Sequence, residues 1–416
     1  MRYGLLGEKL GHSFSKQIHE SLSNITYELI EKSRDEFDDF MKTKDFKAIN
    51  VTIPYKEMVI PYLDVIDARA SRIGAVNTIV NCDGKLYGYN TDYEGIIYLL
   101  NKYDITVKDK VVAILGSGGT SKTATAVVED YQASKIYHVS RTAKDGYITY
   151  EELYERQAEI QVIINTTPVG MYPNNDGAPI DIAKFKNCES VIDVVYNPLR
   201  TKLILEAKEL GMKTATGLEM LIVQGIKAHE LFLSKSYTTE KYQELISNIT
   251  FEKENIVFIG MPTCGKSTIA RMLSEALEIP LVDIDSEIVT SEGRPITEIF
   301  ANNGETYFRE VERSITKALS QKNHQIIATG GGIIKDKRNI DYLKQNGIII
   351  FIDRDIELLQ NDDTRPLSST KDQLVKLYKE RYSLYTKYAD YIIKNNDDIK
   401  RTLEAIKEKL YEVTSN

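Results

Sequence analysis

The segment Gly260-Met261-Pro262-Thr263-Cys264-Gly265-Lys266-Ser267-Thr268 decides the fold of the C-terminal part of the chain. It fits G-x-x-x-x-G-K-[ST], the pattern of a phosphate-cradling loop. The apolar run Ile256-Val-Phe-Ile259 before it reads as a short buried strand, and 269–277 after it carry apolar residues at helical spacing. Strand, glycine loop and helix are the context the pattern needs. Main-chain N–H groups at the helix start, with the positive end of the helix dipole, then hold phosphates. The pattern assigns Gly260 to Thr268 to a nucleotide, Lys266 to its β/γ-phosphates and Ser267 to Mg²⁺. Domains of this kind begin with that strand, so the residues before Ile256 read as a separate part.

Bulk properties set the bounds. The chain has 416 residues, enough for two to four domains. Hydrophobic residues make up 42% and charged residues 27%, which suits a protein with a buried core. A formal net charge of -8 argues against a nucleic-acid scaffold. No apolar run is long enough to span a membrane, and the first residues lack the apolar stretch of a signal peptide. Cys82, Cys188 and Cys264 are widely spaced and odd in number. That argues against a disulfide framework or a zinc site and points to a reducing cytoplasm.

In the first hundred residues, Gly11-His-Ser13-Phe-Ser15-Lys16 sets two hydroxyls close together ahead of a helix over 16–22. Such hydroxyls bind a carboxylate or cap the helix. The apolar strand Phe46-Lys-Ala-Ile-Asn50-Val-Thr52 carries Asn50 and Thr52 on one face, because side chains alternate. Pro54 ends it and Lys56 follows, either a solvated lysine or a proton donor beside a polar pocket. Asn77-Thr78 precedes an Asp83-Gly84 hairpin, and Asn90-Thr-Asp92 opens a helix over 93–100. Together these segments resemble the substrate domain of shikimate dehydrogenase. The resemblance implies that Ser13 and Ser15 bind a substrate carboxylate and that Asn50, Thr52 and Asn77 line the pocket. It further implies that Lys56 and Asp92 handle the proton. Lys16 departs from the proline common in that family.

The run Lys110-Val-Val-Ala-Ile-Leu115 reads as a buried strand, followed by Gly116-Ser117-Gly118-Gly119-Thr120 and a helix expected over 123–131. This is a Rossmann-type dinucleotide turn, although Ser121 breaks the strict pattern. An NAD enzyme places Asp or Glu at the end of the next strand; here Ser140-Arg141-Thr142 stands there. A guanidinium suits a 2′-phosphate, which favours NADP(H). The resemblance adds Tyr196 and Gln224 to the substrate contacts and Gly217 to the cofactor contacts. The helix carrying Gln224 should return to the first domain.

After the phosphate loop, Asp283-Ile-Asp285 sets two carboxylates at a strand end, one for Mg²⁺ through water and one for a hydroxyl nucleophile. Phe308-Arg309, Gly330-Gly331-Gly332, Arg365 and Arg381 follow in order. The set resembles shikimate kinase from about residue 255 onward. The resemblance implies that Arg309, Arg381 and Gly330–Gly332 hold the shikimate carboxylate. Asp285 takes the accepting hydroxyl, and Arg365 closes a lid over ATP. The lid run before Arg365 is unusually acidic, with Asp362 and Asp363.

The expected fold is therefore α/β throughout: a substrate domain from 1–100 plus 218–248 and a Rossmann-type NADP-binding domain from 101–217. A linker over 249–255 then leads to a P-loop domain of nucleoside-monophosphate-kinase type with a parallel sheet over 256–416. The expected activity is NADPH-dependent reduction of 3-dehydroshikimate to shikimate, then ATP-dependent phosphorylation of shikimate. A regulator responding to quinate or shikimate, with dehydrogenase-like and kinase-like halves, is the alternative. The serine pair does not separate shikimate from quinate.

Overall fold

The computed structural model describes residues 2–11, 13–142, 144–360 and 370–415, the side chains of 411–415 excepted. Arg365 and the acidic run before it, Asp362 and Asp363, thus lie outside the described residues. The chain divides into two compact units, Met1–Ile246 and Ser247–Asn416.

The first unit holds two sheets. Strands β1 (Arg2–Gly7), β2 (Tyr27–Glu31), β3 (Phe46–Val51), β4 (Val65–Ile66), β5 (Thr78–Cys82) and β6 (Lys85–Tyr89) form a mixed sheet. Its order is β2-β1-β3-β5-β6-β4. β1 runs parallel to β2 and β3, whereas β5 runs antiparallel to β3 and β6. The β5–β6 hairpin turns on Asp83 and Gly84, both at positive φ (52° and 87°). That is the turn whose twist matches paired strands. The second sheet contains β7 (Val111–Leu115), β8 (Lys135–Val139), β9 (Val162–Asn165), β10 (Ser190–Asp193) and β11 (Lys213–Thr216). It is parallel, in the order β11-β10-β9-β7-β8. Successive strands lie on opposite sides of β7, so the order reverses there. The crevice at such a reversal, beyond the strands' carboxyl ends, is where doubly wound sheets bind ligands. The Gly116–Gly119 turn leaves β7 at that point. The helix after it spans Gly119–Asp130 and starts earlier than its apolar pattern predicts, because Gly118 is already its N-cap. The helix Gly217–Leu233 returns to pack on the helices Ser15–Leu22 and Asp92–Lys102.

The second unit contains β12 (Asn255–Ile259), β13 (Leu281–Asp283), β14 (Ile326–Ala328), β15 (Gly347–Asp353) and β16 (Tyr391–Lys394). All pairs are parallel, in the order β13-β14-β12-β15-β16. Val257, Phe258, Ile327, Ile349 and Ile350 are fully buried, as expected for strands covered on both faces. The segment 249–255, expected as the linker, carries ordered secondary structure. The helix Thr239–Lys253 runs through it and β12 begins at Asn255. Without Gly or Pro, this polar stretch has nothing to stop a helix. Among the described residues no helix is long and apolar enough to cross a membrane.

Candidate active sites

In the first unit a buried polar network runs at the carboxyl end of β3 and the amino end of β5. Lys56 Nζ donates to Asp92 Oδ2 at 2.5 Å, and the two side chains are only 14% and 7% exposed. Asn77 Nδ2 donates to Asp92 Oδ1 at 2.9 Å, to Thr91 Oγ1 at 3.1 Å and to Gln224 Oε1 at 3.2 Å. Asp92 is therefore held from two sides, one oxygen by the ammonium and the other by an amide. Burial in this setting strengthens each hydrogen bond and makes an unpaired group costly. Lys56 Nζ also reaches Thr120 Oγ1 at 3.4 Å, in the first turn of the helix that follows the dinucleotide turn. A Cβ at Gly119 would sit 3.3 Å from Lys56 Cβ and Cδ, so a bare glycine lets the turn lie against the lysine.

The structure gathers Lys56, Asp92, Asn77 and Gln224 directly. Ser13 is half-buried and Ser15 buried, with the Ser15 N–H donating to Ser13 Oγ at 3.2 Å. Both sit at the start of the Ser15–Leu22 helix, whose N-cap residue is Phe14 without a side-chain cap among the described residues. Thr52 lies just beyond β3, half-buried. Asn50 is different. Its Oδ1 accepts from the Tyr27 hydroxyl at 2.7 Å, and its Nδ2 donates to Thr78 Oγ1 and the Asn77 carbonyl. Its side chain is engaged within the protein. Tyr196 is half-buried with its ring 5.3 Å from that of Phe14.

At the dinucleotide turn, Gly116 adopts φ +113° and a Cβ at Gly118 would point into open space. Among the described residues no side chain caps the helix there, which leaves its first N–H groups available. Arg141 and Thr142 are exposed beyond β8, and the Thr142 N–H donates to Ser140 Oγ at 3.4 Å. Gly217 has a packing reason as well: a Cβ would lie 2.1 Å from the Val194 carbonyl oxygen. Sequence reasoning missed the role of Asp193 at the end of β10. It accepts hydrogen bonds from Thr201 Oγ1 (2.6 Å), Asn165 Nδ2 and the Val195 N–H (both 3.0 Å). These anchor the loop that bears Tyr196. Burial pushes the Asp193 carboxyl up to about 7 against the pull of its three donors.

In the second unit the phosphate loop bends through Gly260, Thr263 and Gly265, all at positive φ. Buried Lys266 donates to the carbonyls of Gly260 (3.0 Å) and Met261 (2.9 Å). Asn395 donates from Nδ2 to the Cys264 carbonyl at 2.8 Å and so braces the loop. Ser267 Oγ donates to Asp283 Oδ2 at 3.3 Å. A hydroxyl and a carboxylate beside a phosphate loop are the hard oxygen donors that fit Mg²⁺, which keeps most of its waters.

The triple glycine is where the remaining groups meet. A Cβ on Gly330 would come within 2.5 Å of Asp285 Oδ1, and one on Gly332 within 2.5 Å of Arg309 Nη2. Arg381 Nη1 donates to the Gly331 carbonyl at 2.9 Å, and the Tyr385 hydroxyl donates to the same oxygen. Arg309 is oriented by Glu312 at 2.7 Å and by Glu305 at 3.2 Å. Glu312 is almost fully buried, and burial pushes its carboxyl up while Arg309 pulls it down. Glu312 and Tyr385 were not singled out from sequence. Their signals were helical spacings, three residues beyond Arg309 and four beyond Arg381, which many solvated side chains share.

Together the two sites define an α/β enzyme that joins a dinucleotide-dependent oxidoreductase to a P-loop phosphotransferase. Residues 5–79 match the family model described as shikimate dehydrogenase substrate binding domain, and residues 262–412 match that described as shikimate kinase. Shikimate dehydrogenase (NADP(+)) of Clostridium beijerinckii is 40% identical over 269 residues, which span 61% of this chain and 98% of that protein. The structure of shikimate dehydrogenase 1 from Peptoclostridium difficile aligns with a TM-score of 0.56 and 37% identity, covering 60% of this chain and 98% of its own. Shikimate 5-dehydrogenase from Thermus thermophilus, solved with NADP(H) and shikimate, aligns with a TM-score of 0.53 and 28% identity, covering 60% and 99%. The chain belongs to the shikimate dehydrogenase family and carries a shikimate kinase domain behind it.

Proposed function

We propose that this chain catalyses two consecutive reactions: reduction of 3-dehydroshikimate to shikimate, then phosphorylation of shikimate at its 3-hydroxyl. We assign the substrate domain to 1–100 plus 218–248, the NADP domain to 101–217 and the kinase to 256–416. The observation that carries the reading is the Lys56–Asp92 pair at 2.5 Å, with Thr120 of the dinucleotide turn 3.4 Å from the same ammonium. A regulator needs ligand contacts but has no use for a buried proton donor set against a cofactor turn.

In the first site, Ser13 and Ser15 bind the substrate carboxylate, while Asn77 and Gln224 orient the ring hydroxyls. NADPH, held by the Gly116–Thr120 turn and by Arg141 at its 2′-phosphate, supplies the hydride. As negative charge grows on the carbonyl oxygen, Lys56 stabilises it and donates the proton; Asp92 keeps the ammonium aimed. In the second site, Arg309 and Arg381 grip the carboxylate and Asp285 orients the accepting hydroxyl. ATP would supply the phosphoryl group, and Ser267 and Asp283 would hold its Mg²⁺, Asp283 through water as the resemblance implies. Lys266 leaves the loop carbonyls to neutralise charge on the phosphates. Catalysis here is positioning plus charge neutralisation. Three free cysteines fit a reducing cytoplasm.

The test is one coupled assay with 3-dehydroshikimate, NADPH and ATP. Both NADPH consumption and ADP release are expected. A folded chain silent in both favours the regulator. Comparing shikimate with quinate, and NADP⁺ with NAD⁺, in the reverse direction fixes substrate and cofactor preference.

A further inference from the structure

Two buried histidines lie behind the first site, and the mechanism above does not use them. His19 on the helix Ser15–Leu22 and His229 on the helix Gly217–Leu233 are both fully buried. Their Nδ1 atoms are 3.0 Å apart, and His229 Nε2 lies 2.9 Å from Ser23 Oγ. A contact that short between two ring nitrogens needs one proton between them, one ring donating and the other accepting. With both rings neutral it is a hydrogen bond. With one ring protonated the same proton still bridges them, but the charge sits away from solvent; with both protonated, two N–H groups face each other.

The surroundings tie this pair to the substrate pocket. The His19 ring stacks on Tyr27 with centroids 4.3 Å apart and planes 7° apart. The Tyr27 hydroxyl donates to Asn50, and Asn50 donates to Thr78 and the Asn77 carbonyl. Among the described residues His19 Nε2 is buried without a hydrogen-bond partner, and Asn50 is the polar side chain that faces it. The same two helices carry the substrate-facing groups, Ser15 at the start of one and Gln224 on the other. They approach closely beside Gln224, where a Cβ on Gly225 would lie 2.9 Å from Ile18 Cγ2.

We propose that His19 and His229 form a neutral clamp that sets the spacing of the two substrate-gripping helices, and so act as positioning residues for the acid substrate. This rests on the dehydrogenase reading above. The described groups around the pair offer no counter-charge to a protonated ring. Glu20, on the His19 helix, accepts from the Tyr27 N–H, and Glu230 accepts from the Tyr237 N–H and the Tyr242 hydroxyl. Lys235 bears on His229 with like charge. Burial, foremost, holds both rings below the ordinary histidine value of 6.5, His229 down to about 4. A depressed imidazole keeps its stabilising contact above 6.5. The stability it contributes falls as pH drops from there toward the folded value, and the ring itself takes up a proton only around that folded value, about 4 for His229.

The test uses the full chain and NADP⁺-dependent shikimate oxidation, with kinase activity and Tm recorded in parallel. His229→Leu removes the partner of His19 and should raise the KM for shikimate about tenfold, the scale of one lost oriented hydrogen bond. Its kcat and its KM for NADP⁺ should stay within about twofold, as for lost uniform binding. His229→Asn, with an amide near the position of Nδ1, should restore most of the affinity. It should also move the acid-side rise in KM to lower pH than in the wild type. If His229→Leu does not fold, His229→Asn and the two pH profiles decide. An unchanged KM in His229→Leu, or identical acid limbs in wild type and His229→Asn, overturns the clamp. A folded wild-type chain that does not oxidise shikimate overturns the dehydrogenase reading itself.

Discussion

Each unit places one lysine at its chemical centre, and the two are held in opposite ways. Lys56 is already paired with a carboxylate, which Asn77 fixes in turn. Among the described residues Lys266 bonds to main-chain carbonyls of its own loop and, at 3.8 Å, to the Cys264 sulfur. The first arrangement is a finished acid–base pair, assembled before any ligand arrives. On the proposed reading the second holds an ammonium in reserve for phosphates, since carbonyl oxygens are weaker partners than anionic oxygens. The arginines of the second unit show both patterns, Arg309 on carboxylates and Arg381 on a carbonyl. Arg309 and Arg381 wait on Glu312, Glu305 and a glycine carbonyl. Proton transfer to a small ring needs a preset geometry. Phosphoryl transfer needs positive charge that is released onto the substrate when it binds.

The largest effects should come from the lysines themselves. Lys56→Ala is expected to lower kcat for reduction about a thousandfold, within the range for a lost general acid, while ADP release on shikimate is unchanged. Lys266→Ala should do the reverse, with a loss of similar order from the phosphate site. If Lys56→Ala spares reduction, the preset pair is not the proton donor and the contrast collapses.

Next come the arginine and its carboxylate partner. Arg309→Ala should raise the kinase's KM for shikimate about a hundredfold, the worth of a charge-assisted bidentate grip. An unchanged KM removes Arg309 from the site. Glu312→Gln keeps shape but frees Arg309, and a rise of about tenfold is expected. Arg141→Ala should weaken NADPH roughly thirtyfold and leave NADH nearly unchanged, because only the former carries the 2′-phosphate. Equal losses would mean that the guanidinium does not touch that phosphate.

The smallest effect is one of pH on stability. Burial raises the Glu312 carboxyl above its ordinary 4.5. The folded state then binds more protons than the unfolded state from 4.5 up to the raised value. That contribution is greatest at or below 4.5 and fades as pH rises through the window. Wild type minus Glu312→Gln should therefore shift by a degree or two, in favour of the glutamine variant, as Tm is followed upward in pH. A pH-independent difference would mean that Arg309 fully offsets burial.

Much of this was legible without coordinates, for a local reason. The phosphate loop, the dinucleotide turn and the Asp83-Gly84 hairpin each lie within a few consecutive residues. Their backbone needs are written in glycines and flanking apolar runs. Asn50 shows where that reading stops. On a strand beside Thr52 it reads as a substrate contact, and only the fold shows that its side chain also bonds to Tyr27 of β2 and Thr78 of β5. The stretch over 249–255 shows the same limit. Polarity marks the seam, but composition does not distinguish a helix from a loop, and the chain is helical to Lys253 with Ile249 buried.

The sequence alone thus determined the two α/β architectures, the nucleotide-binding loops and the residue types of both reactions, because these depend on periodicity and short spacing. Only the tertiary structure decided which groups meet. Asn77 reaches Gln224 across 147 positions, and Arg381 reaches Gly331 across 50. It also decided that His19 and His229, 210 positions apart and unremarked in the sequence, share a single hydrogen bond. Distances in space between residues distant in the chain are set by how helices and sheets pack, and no local pattern encodes them.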